Sequence, residues 1–364
     1  MALEFIGCPR YIYFGPQAHR RVAEIMDTIG VRGTVLLLSG SSKTKKIGGM
    51  VGDVLRGEGF DVVDLEVPSG VIGAREVCSL YEKVRNKGIS IVLGVGGGRV
   101  IDASKVIAAW KGVEYISVPT SASHDGIASP SISFLLRKSI SESLGPEKAV
   151  TRSPIGIIAD TEIIKNAPPI TLISGCGDLI AKYTAVRDWK LASVLKDEPF
   201  SEYSASIALL SARLITDHAP EIKPSLEESC RIVVKALIGS GIAISVAGSS
   251  RPASGSEHLF SHAIDYLSLK EGFKPAPHGI QCGLGTIMMS YLQGGEWEFI
   301  RQKLRELGAP VTAEEANLSP KIIIKALTIC HTIRNRYTIL GDSGLTENAA
   351  YKLALKTGVI EKEP

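Results

Sequence analysis

The stretch Ile91-Val-Leu-Gly-Val-Gly-Gly-Gly-Arg-Val-Ile-Asp-Ala-Ser-Lys105 contains a short apolar run, three consecutive glycines and the beginning of a helical pattern. The apolar run predicts a buried strand. The glycines lack a Cβ atom, so their backbone N–H groups can approach a phosphate closely at the positive end of the helix dipole. The stretch therefore predicts a phosphate-binding turn. Because Arg99 stands where the G-x-G-x-x-G fingerprint has its last glycine, a plain strand-to-helix turn remains an alternative.

Strands and helices alternate on both sides of this stretch. Further predicted strands are Arg10–Phe14, Thr34–Leu38, Asp61–Val67 and Tyr115–Val118. The predicted helices are Gln17–Ile29, Lys45–Glu58, Ala74–Lys87 and Arg99–Trp110. Helical segments of this length between strands indicate βαβ units, and hence a Rossmann-like parallel sheet of the α/β class. Ligands of such sheets bind at the carboxyl ends of the strands, where Gly40, the three glycines and Thr120 fall.

Beyond Pro168 the pattern changes to helices only. The helical segments are Ile170–Lys196, Glu202–Asp217, Leu226–Ala247, Glu257–Leu269, Ile280–Gln293, Trp297–Leu307, Lys321–Arg336 and Glu347–Thr357. We therefore expect an α/β domain over residues 1–167 and an all-α domain over residues 168–364, with a boundary at the corner Ala167-Pro-Pro169.

The composition excludes several classes of protein. Apolar residues make up 45% and charged residues 22% of the 364 residues, as in soluble globular proteins. A net charge of +3 is too small to predict a nucleic-acid partner. The six cysteines lie far apart without a C-x-x-C pair, which favours a reducing compartment. We find no signal peptide and no apolar run of spanning length, and expect a cytoplasmic protein without membrane insertion.

A loop rich in small hydroxyl side chains follows the last predicted strand. The segment Ser117-Val-Pro-Thr-Ser-Ala-Ser-His-Asp-Gly-Ile-Ala-Ser-Pro-Ser131 contains many serines and one threonine, with a single His and a single Asp. Hydroxyl groups and open backbone amides suit the phosphates, ribose and amide of a dinucleotide, and Asp125 could accept hydrogen bonds from a polyol. The alternative is a turn-rich loop whose side chains only cap backbone groups.

Three side chains of the helical half form a candidate metal site. Asp178 and His278 stand at predicted helix starts, and His258 follows a run of small residues. One carboxylate and two imidazoles with an open position suit a catalytic Zn²⁺. The spacing is long, so two alternatives remain. His258 and His262, four residues apart on one helix face, could be the ligand pair, or they could be an ordinary core or surface pair.

Five motifs in a fixed order add a family resemblance. They are Gly94-Val-Gly-Gly-Gly-Arg-Val-Ile-Asp102, Pro119-Thr-Ser-Ala-Ser-His-Asp-Gly126, Gly177-Asp178, Glu257-His-Leu-Phe-Ser-His262 and Pro277-His-Gly279. This pattern resembles the iron- or zinc-dependent polyol dehydrogenase superfamily, which includes dehydroquinate synthase. Within it, Ser123-His-Asp-Gly126 and Arg334-Asn-Arg-Tyr-Thr-Ile-Leu340 resemble the archaeal sn-glycerol-1-phosphate dehydrogenases. The resemblance spans residues 11 to about 340 and implies a dehydroquinate synthase-like fold.

The resemblance implies a role for particular positions. The cofactor pyrophosphate would lie on Gly97, Gly98, Arg99, Val100, Ile101 and Asp102. The nicotinamide half would contact Thr120, Ser121, Ala122, Ser123 and Ser129. Zn²⁺ would be held by Asp178, His258 and His278. The catalytic and substrate-contacting residues would be Asp125, Asp178 and His262.

The resemblance also implies a reaction. It is the reversible NAD(P)H-dependent reduction of dihydroxyacetone phosphate to sn-glycerol 1-phosphate, with Zn²⁺ polarising the carbonyl. The product supplies the backbone of archaeal membrane phospholipids. One alternative is a dehydrogenase of unphosphorylated glycerol from the same superfamily. The other is a nucleotide-binding protein without catalysis.

The loop Leu38-Ser-Gly-Ser-Ser-Lys43 bears on the choice of cofactor. It has no carboxylate to bind the adenosine ribose 2′-hydroxyl, and its serines and lysine could accept a 2′-phosphate. We therefore expect NADPH to be used at least as well as NADH. The apolar surface of the helical half further predicts a homo-oligomer.

Overall fold

The computed structural model describes residues 6–361, and these form two compact units. The first unit contains the chain up to Ala122 together with Gly126–Pro168. The second contains Ser123–Asp125 and the chain from Pro169 onward. The assignment of a dinucleotide-binding role to residues 1–167, and of a metal- and substrate-binding role to residues 168–364, stays a prediction.

A parallel sheet of six strands forms the first unit, in the order β1-β6-β5-β4-β2-β3. The strands are β1 (Tyr11–Gly15), β2 (Thr34–Ser39), β3 (Asp61–Glu66), β4 (Ile89–Gly96), β5 (Glu114–Pro119) and β6 (Gly156–Asp160). The helices are α1 (Val22–Thr28), α2 (Lys43–Gly57), α3 (Ala74–Glu82), α4 (Gly98–Lys111), α5 (Phe134–Leu144) and α6 (Thr161–Lys165). Short 3₁₀ helices cover Ala18–Arg21 and Pro146–Ala149.

The strand β2 illustrates why this sheet forms. Leu36 and Leu38 belong to an apolar cluster on one face, with side chains from α3, α4 and α5. Val35 and Leu37 belong to the cluster on the other face, with α1 and α2. Successive side chains of a strand point to opposite faces, so a sheet covered on both faces needs an unbroken apolar run. The sequence of β2 meets this requirement.

The strand order places a switch point between β2 and β4. From β2 the chain moves outward to β3, whereas from β4 it moves the other way, through β5 and β6. In open parallel sheets, ligands bind at the carboxyl ends of the strands beside such a point. The loop after β2 and the glycine turn after β4 both lie there.

The second unit is helical, and its part of the described chain contains no strand. Its helices are α7 (Pro169–Ile180), α8 (Lys182–Leu195), α9 (Glu202–Asp217), α10 (Glu227–Ala247), α11 (Ser256–Glu271), α12 (His278–Leu292), α13 (Trp297–Glu306), α14 (Pro320–Ile329) and α15 (Glu347–Lys356). A 3₁₀ turn, Cys330–Thr332, follows α14. The predicted fold class is therefore confirmed.

Several boundaries differ from the prediction. The sequence analysis assigns no element to residues 132–167, where β6, α5 and α6 form. The predicted helix Ile170–Lys196 is two helices that meet at Ala181. The predicted helices Ala74–Lys87 and Lys321–Arg336 end early, at Glu82 and Ile329. Apolar periodicity continues through such breaks because no Pro or Gly marks them, and it therefore predicts helices that are too long.

The helix α10 is long and apolar enough to cross a membrane by length and composition. In the protein, 61% of its most apolar 18-residue window is buried. Burial of this extent is typical of the core helix of a globular unit. The length of α10 is therefore weak support for a membrane span.

Candidate functional site

The glycine turn joins β4 to α4. A Cβ atom on Gly96 would come within 2.6 Å of the Val100 side chain, so this position requires glycine for packing. A Cβ atom on Gly97 would meet only the Ser121 hydroxyl, at 3.5 Å. No side chain caps the N-terminus of α4, and the first N–H groups of a helix have no partner within it. The turn therefore offers backbone donors to an anion.

The side chains that follow the turn have structural contacts. Val100 and Ile101 are buried in an apolar cluster of the sheet. Asp102 Oδ2 accepts a hydrogen bond of 2.9 Å from the backbone N–H of Ser133, ahead of α5. Arg99 Nη1 donates to the Gly70 carbonyl at 3.1 Å. Of the residues predicted to bind the pyrophosphate, these would therefore contact it through their backbone N–H groups rather than through their side chains.

The predicted nicotinamide contacts are divided between the two units. Thr120, Ser121 and Ala122 are buried in the first unit, where the Thr120 N–H donates to the Gly96 carbonyl at 3.1 Å. Ser129 is also in the first unit, and its hydroxyl accepts from the Ser131 N–H at 3.3 Å. Ser123 belongs to the second unit, where its carbonyl accepts from Ser174 at 3.1 Å.

The second unit brings the three predicted metal ligands together. Asp178 in α7, His258 in α11 and His278 at the start of α12 each offer a ligand atom, and these atoms lie within 4.8 Å of one another. His258 Nε2 lies 3.3 Å from Asp178 Oδ1, and the rings of His258 and His278 are 5.0 Å apart. The same cluster contains the thiol of Cys282, which the sequence analysis did not single out. Its position four residues after His278, on the same helix face, is the signal that could have found it.

Two glycines allow α7 and α12 to approach this closely. A Cβ atom on Gly177 would collide with the Gly279 carbonyl, and one on Gly279 would collide with the Ser174 carbonyl. The Gly279 N–H donates to the Ser174 hydroxyl at 3.0 Å. Because Asp178 and His278 are the chain neighbours of these two glycines, the backbone contact sets the two side chains beside each other.

Polar neighbours orient the imidazole ligands. Glu257 Oε1 lies 2.7 Å from His258 Nδ1, and its other oxygen accepts from Thr184 at 2.7 Å. The Ser261 hydroxyl lies 3.0 Å from His278 Nδ1 and donates to Gln281 at 2.7 Å. Metal-binding histidines usually have such a partner on the second ring nitrogen, which fixes the tautomer and the ring plane.

A buried ion-pair network completes the cluster. The ammonium group of Lys182 is fully buried and lies 3.1 Å from Asp178 Oδ1 and 2.9 Å from Asp125 Oδ2. Asp125 Oδ2 also accepts from the Ser240 hydroxyl at 2.7 Å, and the Asp125 N–H donates to Asp178 Oδ2 at 2.9 Å. The sequence analysis missed Lys182, because a lysine at a helix start is usually solvated.

The network shifts the pKa values of its members. Burial raises the pKa of Asp178, but the charges of Lys182 and His258 outweigh it and hold this pKa well below 3.8. Burial lowers the pKa of Lys182, but Asp125 and Asp178 outweigh it and raise this pKa above 10.5. Asp178 is therefore an anion and Lys182 a cation throughout the neutral range.

The pKa values of the histidines shift in opposite directions, and that of Cys282 shifts with them. Burial lowers the pKa of His278, but the Cys282 thiol beside it raises the value to about 9. Burial raises the pKa of Cys282, but His258 and His278 lower it to about 7. Burial and the charge of Arg334 together hold the pKa of His262 well below 6.5. The groups of the metal cluster therefore favour their charged forms. His262, one helical turn from His258, is neutral.

Comparisons with known proteins identify relatives over the whole chain. Residues 13–168 match the family described as iron-containing alcohol dehydrogenase. The glycerol-1-phosphate dehydrogenase (NAD(P)+) of Korarchaeum cryptofilum is 60% identical over 289 residues, which cover 79% of this chain and 92% of that protein. Its counterpart in Methanothermobacter thermautotrophicus is 48% identical over 361 residues, covering 98% and 99%.

Solved structures share the fold at low sequence identity. The glycerol dehydrogenase of Schizosaccharomyces pombe has a TM-score of 0.77 at 18% identity, over 98% of this chain and 91% of that chain. The iron-containing alcohol dehydrogenase of Thermococcus thioreducens has a TM-score of 0.72 at 16% identity, over 97% and 99%. These two matches show the fold, and the relatives of Korarchaeum cryptofilum and Methanothermobacter thermautotrophicus show that the chain belongs to the glycerol-1-phosphate dehydrogenase family.

Proposed function

We propose that this protein catalyses the reversible NAD(P)H-dependent reduction of dihydroxyacetone phosphate to sn-glycerol 1-phosphate. Relatives at 43–60% identity, whose matches cover 79–98% of this chain, are named glycerol-1-phosphate dehydrogenase (NAD(P)+). The observation that carries the proposal is the convergence of the buried Asp178 and His258 with the half-buried His278 in a chain of this family. The product would supply the backbone of archaeal-type membrane phospholipids.

The donor set of the cluster fits a divalent cation. One carboxylate and two imidazoles make a donor set of the catalytic zinc type. The other carboxylate oxygen and the second nitrogen of each imidazole contact polar neighbours, which orient the ligands. We propose that Asp178, His258 and His278 hold Zn²⁺. When bound, the cation supplies Lewis-acid polarisation of a carbonyl oxygen.

Asp125 and His262 beside the metal cluster, together with Asp178 within it, would bind and orient the substrate. Lys182 and Ser240 hold Asp125 Oδ2 in place, so this carboxylate has a fixed direction in which to accept a substrate hydroxyl. Asp178 accepts the Asp125 N–H and so ties the substrate residue to the metal residue. His262, which is mostly buried one turn after His258, would hydrogen-bond the substrate as an imidazole. The burial of these groups keeps bulk water from the reacting carbon.

The first unit, together with Ser123 of the second unit, would bind the cofactor. The backbone from Gly97 through Asp102 would hold the pyrophosphate, and the loop Thr120–Ser123 with Ser129 would contact the nicotinamide half. Bound NADPH or NADH supplies the hydride. The absence of a carboxylate in residues 38–43 supports use of NADPH as well as NADH. We further propose a cytoplasmic homo-oligomer; none of the six cysteines, all within residues 6–361, forms a disulfide.

The charge of the substrate tests the proposal. We expect kcat/KM with NADPH to be at least about 10²-fold higher for dihydroxyacetone phosphate than for dihydroxyacetone, because the phosphate adds charge-assisted contacts. Equal or higher activity with dihydroxyacetone and glycerol would favour the unphosphorylated-polyol alternative. Absence of both metal and turnover in the purified protein would favour the non-catalytic alternative.

A further inference from the structure

A lysine in the middle of α4 is buried among apolar residues. The Lys105 side chain is fully buried, and its helix neighbours Ala103, Val106 and Ile107 are buried as well. Lysine is rarely buried unless partners compensate the cost of removing its charge from water. An apolar side chain would fill this place at lower cost, so the ammonium group is expected to have a use besides packing.

The ammonium group of Lys105 bonds to the loop that follows β5. Its Nζ donates to the Gly126 carbonyl at 2.6 Å and to the Ser131 carbonyl at 2.5 Å. Asp102, which stands one helical turn earlier on α4, has its Oδ1 atom 3.7 Å from this Nζ. All of these residues belong to the first unit. The helix α4 therefore holds the loop at two points through one side chain.

The loop held in this way, residues 126–133, includes Ser129, which is one of the predicted nicotinamide contacts. Apart from the end of a 3₁₀ turn, Asp125–Ile127, the loop forms no helix or strand. Such a loop depends for its shape on bonds from side chains to its backbone. Asp102 Oδ2 adds one of these bonds, from the Ser133 N–H at 2.9 Å. The position of Ser129 therefore depends on side chains of α4.

The same helix begins at the glycine turn, where the pyrophosphate would lie. Lys105 stands seven residues after Gly98, the first residue of α4, or about 10 Å along the helix axis. The pyrophosphate and the nicotinamide belong to one cofactor, so the sites that bind them must keep a fixed spacing. A helix that begins at one site and bonds to the loop of the other can set this spacing.

A second lysine of α4 shows the same kind of bonding away from the predicted cofactor residues. Lys111, the half-buried last residue of the helix, donates to the carbonyls of Val84, Arg85 and Lys87 at 3.3, 3.0 and 2.8 Å. A lysine that ties α4 to a neighbouring backbone is therefore no sign of function by itself. Lys105 differs in its complete burial and in the loop that it holds.

We propose that Lys105 is a positioning residue that fixes the nicotinamide-contacting loop relative to the pyrophosphate turn. This inference rests on the cofactor site of the proposed function. The ammonium group acts through the Gly126 and Ser131 carbonyls and not through contact with the cofactor. A misplacement of about 1 Å at a reacting group costs about 10²-fold in rate. The expected role is therefore one in hydride transfer as well as in folding.

Two ligands that share the adenosine and pyrophosphate groups test the proposal. NADPH carries the nicotinamide, and 2′-phospho-ADP-ribose lacks it. We expect Lys105→Met to raise the Kd for NADPH about fivefold and to change that for 2′-phospho-ADP-ribose by less than about twofold. It should lower kcat about 10- to 10²-fold. The increase in nicotinamide fluorescence on binding should also fall, because the ring is held less firmly.

The matched control is Lys111→Met, which removes a lysine with the same kind of backbone bonds from the same helix. It should keep both Kd values and kcat. If Lys105→Met weakens both ligands by the same factor, the role of Lys105 is purely structural and the proposal is wrong. Unchanged NADPH binding, fluorescence and kcat in Lys105→Met would also overturn it. A wild-type protein that binds neither ligand would instead overturn the cofactor site of the proposed function.

A second variant keeps the test independent of how Lys105→Met folds. The half-buried Thr151 donates through Oγ1 to the Pro130 carbonyl, in the same loop. Thr151→Val removes this single neutral bond and should raise the Kd for NADPH about two- to threefold. The Kd for 2′-phospho-ADP-ribose should not change. Wild-type NADPH binding and fluorescence in Thr151→Val would show that bonds to this loop do not set the nicotinamide position, and would contradict the proposal.

Discussion

The two units of this protein surround a buried lysine with different partners, as Lys105 and Lys182 show. In the first unit, Lys105 donates to the carbonyls of Gly126 and Ser131, at 2.6 and 2.5 Å, and so anchors a loop. In the second unit, Lys182 lies against the carboxylates of Asp125 and Asp178. Lys105 also lies 3.7 Å from the Asp102 carboxylate, so it has one carboxylate and two backbone carbonyls as partners, whereas Lys182 has two carboxylates.

The candidate ligand groups follow the same division. The glycine turn of the first unit presents backbone donors, and the side chains after it pack in the core or bond to the backbone ahead of α5. The second unit gathers charged side chains from separate helices into its interior. Burying charge costs several kcal/mol per ion unless partners compensate it. The comparison teaches that the helical unit buries charges, which costs stability, whereas the proposed cofactor site of the sheet unit uses backbone groups and buries no additional charge.

Removal of a proposed metal ligand should have the largest effect. We expect His258→Ala to lose the metal and to lower kcat by about 10³-fold or more, because several kcal/mol of charge stabilisation is lost. Metal analysis and steady-state kinetics measure both. The control His218→Ala removes an exposed histidine that pairs with Glu221. Full turnover in a metal-free His258→Ala protein would contradict the proposed contrast between the units, since turnover would then not depend on a metal centre in the helical unit.

Removal of the buried ammonium group should have the next largest effect. We expect Lys182→Met to lower the free energy of unfolding of the metal-free protein by about 3–5 kcal/mol, because two buried carboxylates lose their cation. The control Lys196→Met breaks an exposed 3.1 Å pair with Asp342 and should cost less than about 1 kcal/mol. Urea denaturation measures both variants. Equal stability of Lys182→Met and wild type would contradict a charged network.

The pH dependence of this effect has a definite sign. The partners of Lys182 raise its pKa in the folded protein above the ordinary 10.5. Its stabilising contribution is therefore complete below pH 10.5 and is lost as the pH rises further towards the folded value. The difference in stability between wild type and Lys182→Met should accordingly be constant through neutral pH and shrink only in strong alkali.

The glycine turn should respond through cofactor affinity rather than stability. We expect Gly97→Ala to raise the Kd for NADPH about 10-fold, since a Cβ atom there would meet only the Ser121 hydroxyl, at 3.5 Å, and would hinder the approach of a phosphate to the backbone N–H groups. Unfolding should change little. Gly96→Ala, whose Cβ would clash with Val100, should instead cost about 1–3 kcal/mol of stability. Fluorescence titration and urea denaturation distinguish the two. Normal NADPH binding by Gly97→Ala would make the turn purely structural.

The smallest expected effect concerns the choice of cofactor. We expect kcat/KM for NADPH at least equal to that for NADH, and Ser41→Asp to lower the NADPH-to-NADH ratio about fivefold. That factor corresponds to about 1 kcal/mol of repulsion between a partly solvated carboxylate and a 2′-phosphate. Kinetics with both cofactors measure the ratio. A large NADH preference in the wild type would mean that a residue outside this loop binds the adenosine ribose 2′-hydroxyl.

Local patterns in the sequence predicted most of the fold. The period of two in strands and of 3.6 in helices is a property of neighbouring residues, so the alternating first half and the helical second half could be predicted. The strand β6 (Gly156–Asp160) could not, because its five residues carry too short a pattern and pair with β1 and β5, far away in sequence. Its placement is decided by the sheet.

The candidate site divides in the same way. The family resemblance implied that Asp178, His258 and His278 share a metal ion, whereas their long spacing in the sequence left other ligand pairs open. That convergence depends on the contact of α7 with α12 at Gly177 and Gly279, which no local pattern encodes. The places of Lys182 and Cys282 beside the candidate ligands were decided only by the tertiary structure. A lysine or a cysteine in a helix has no fixed chemistry until packing determines which charges surround it.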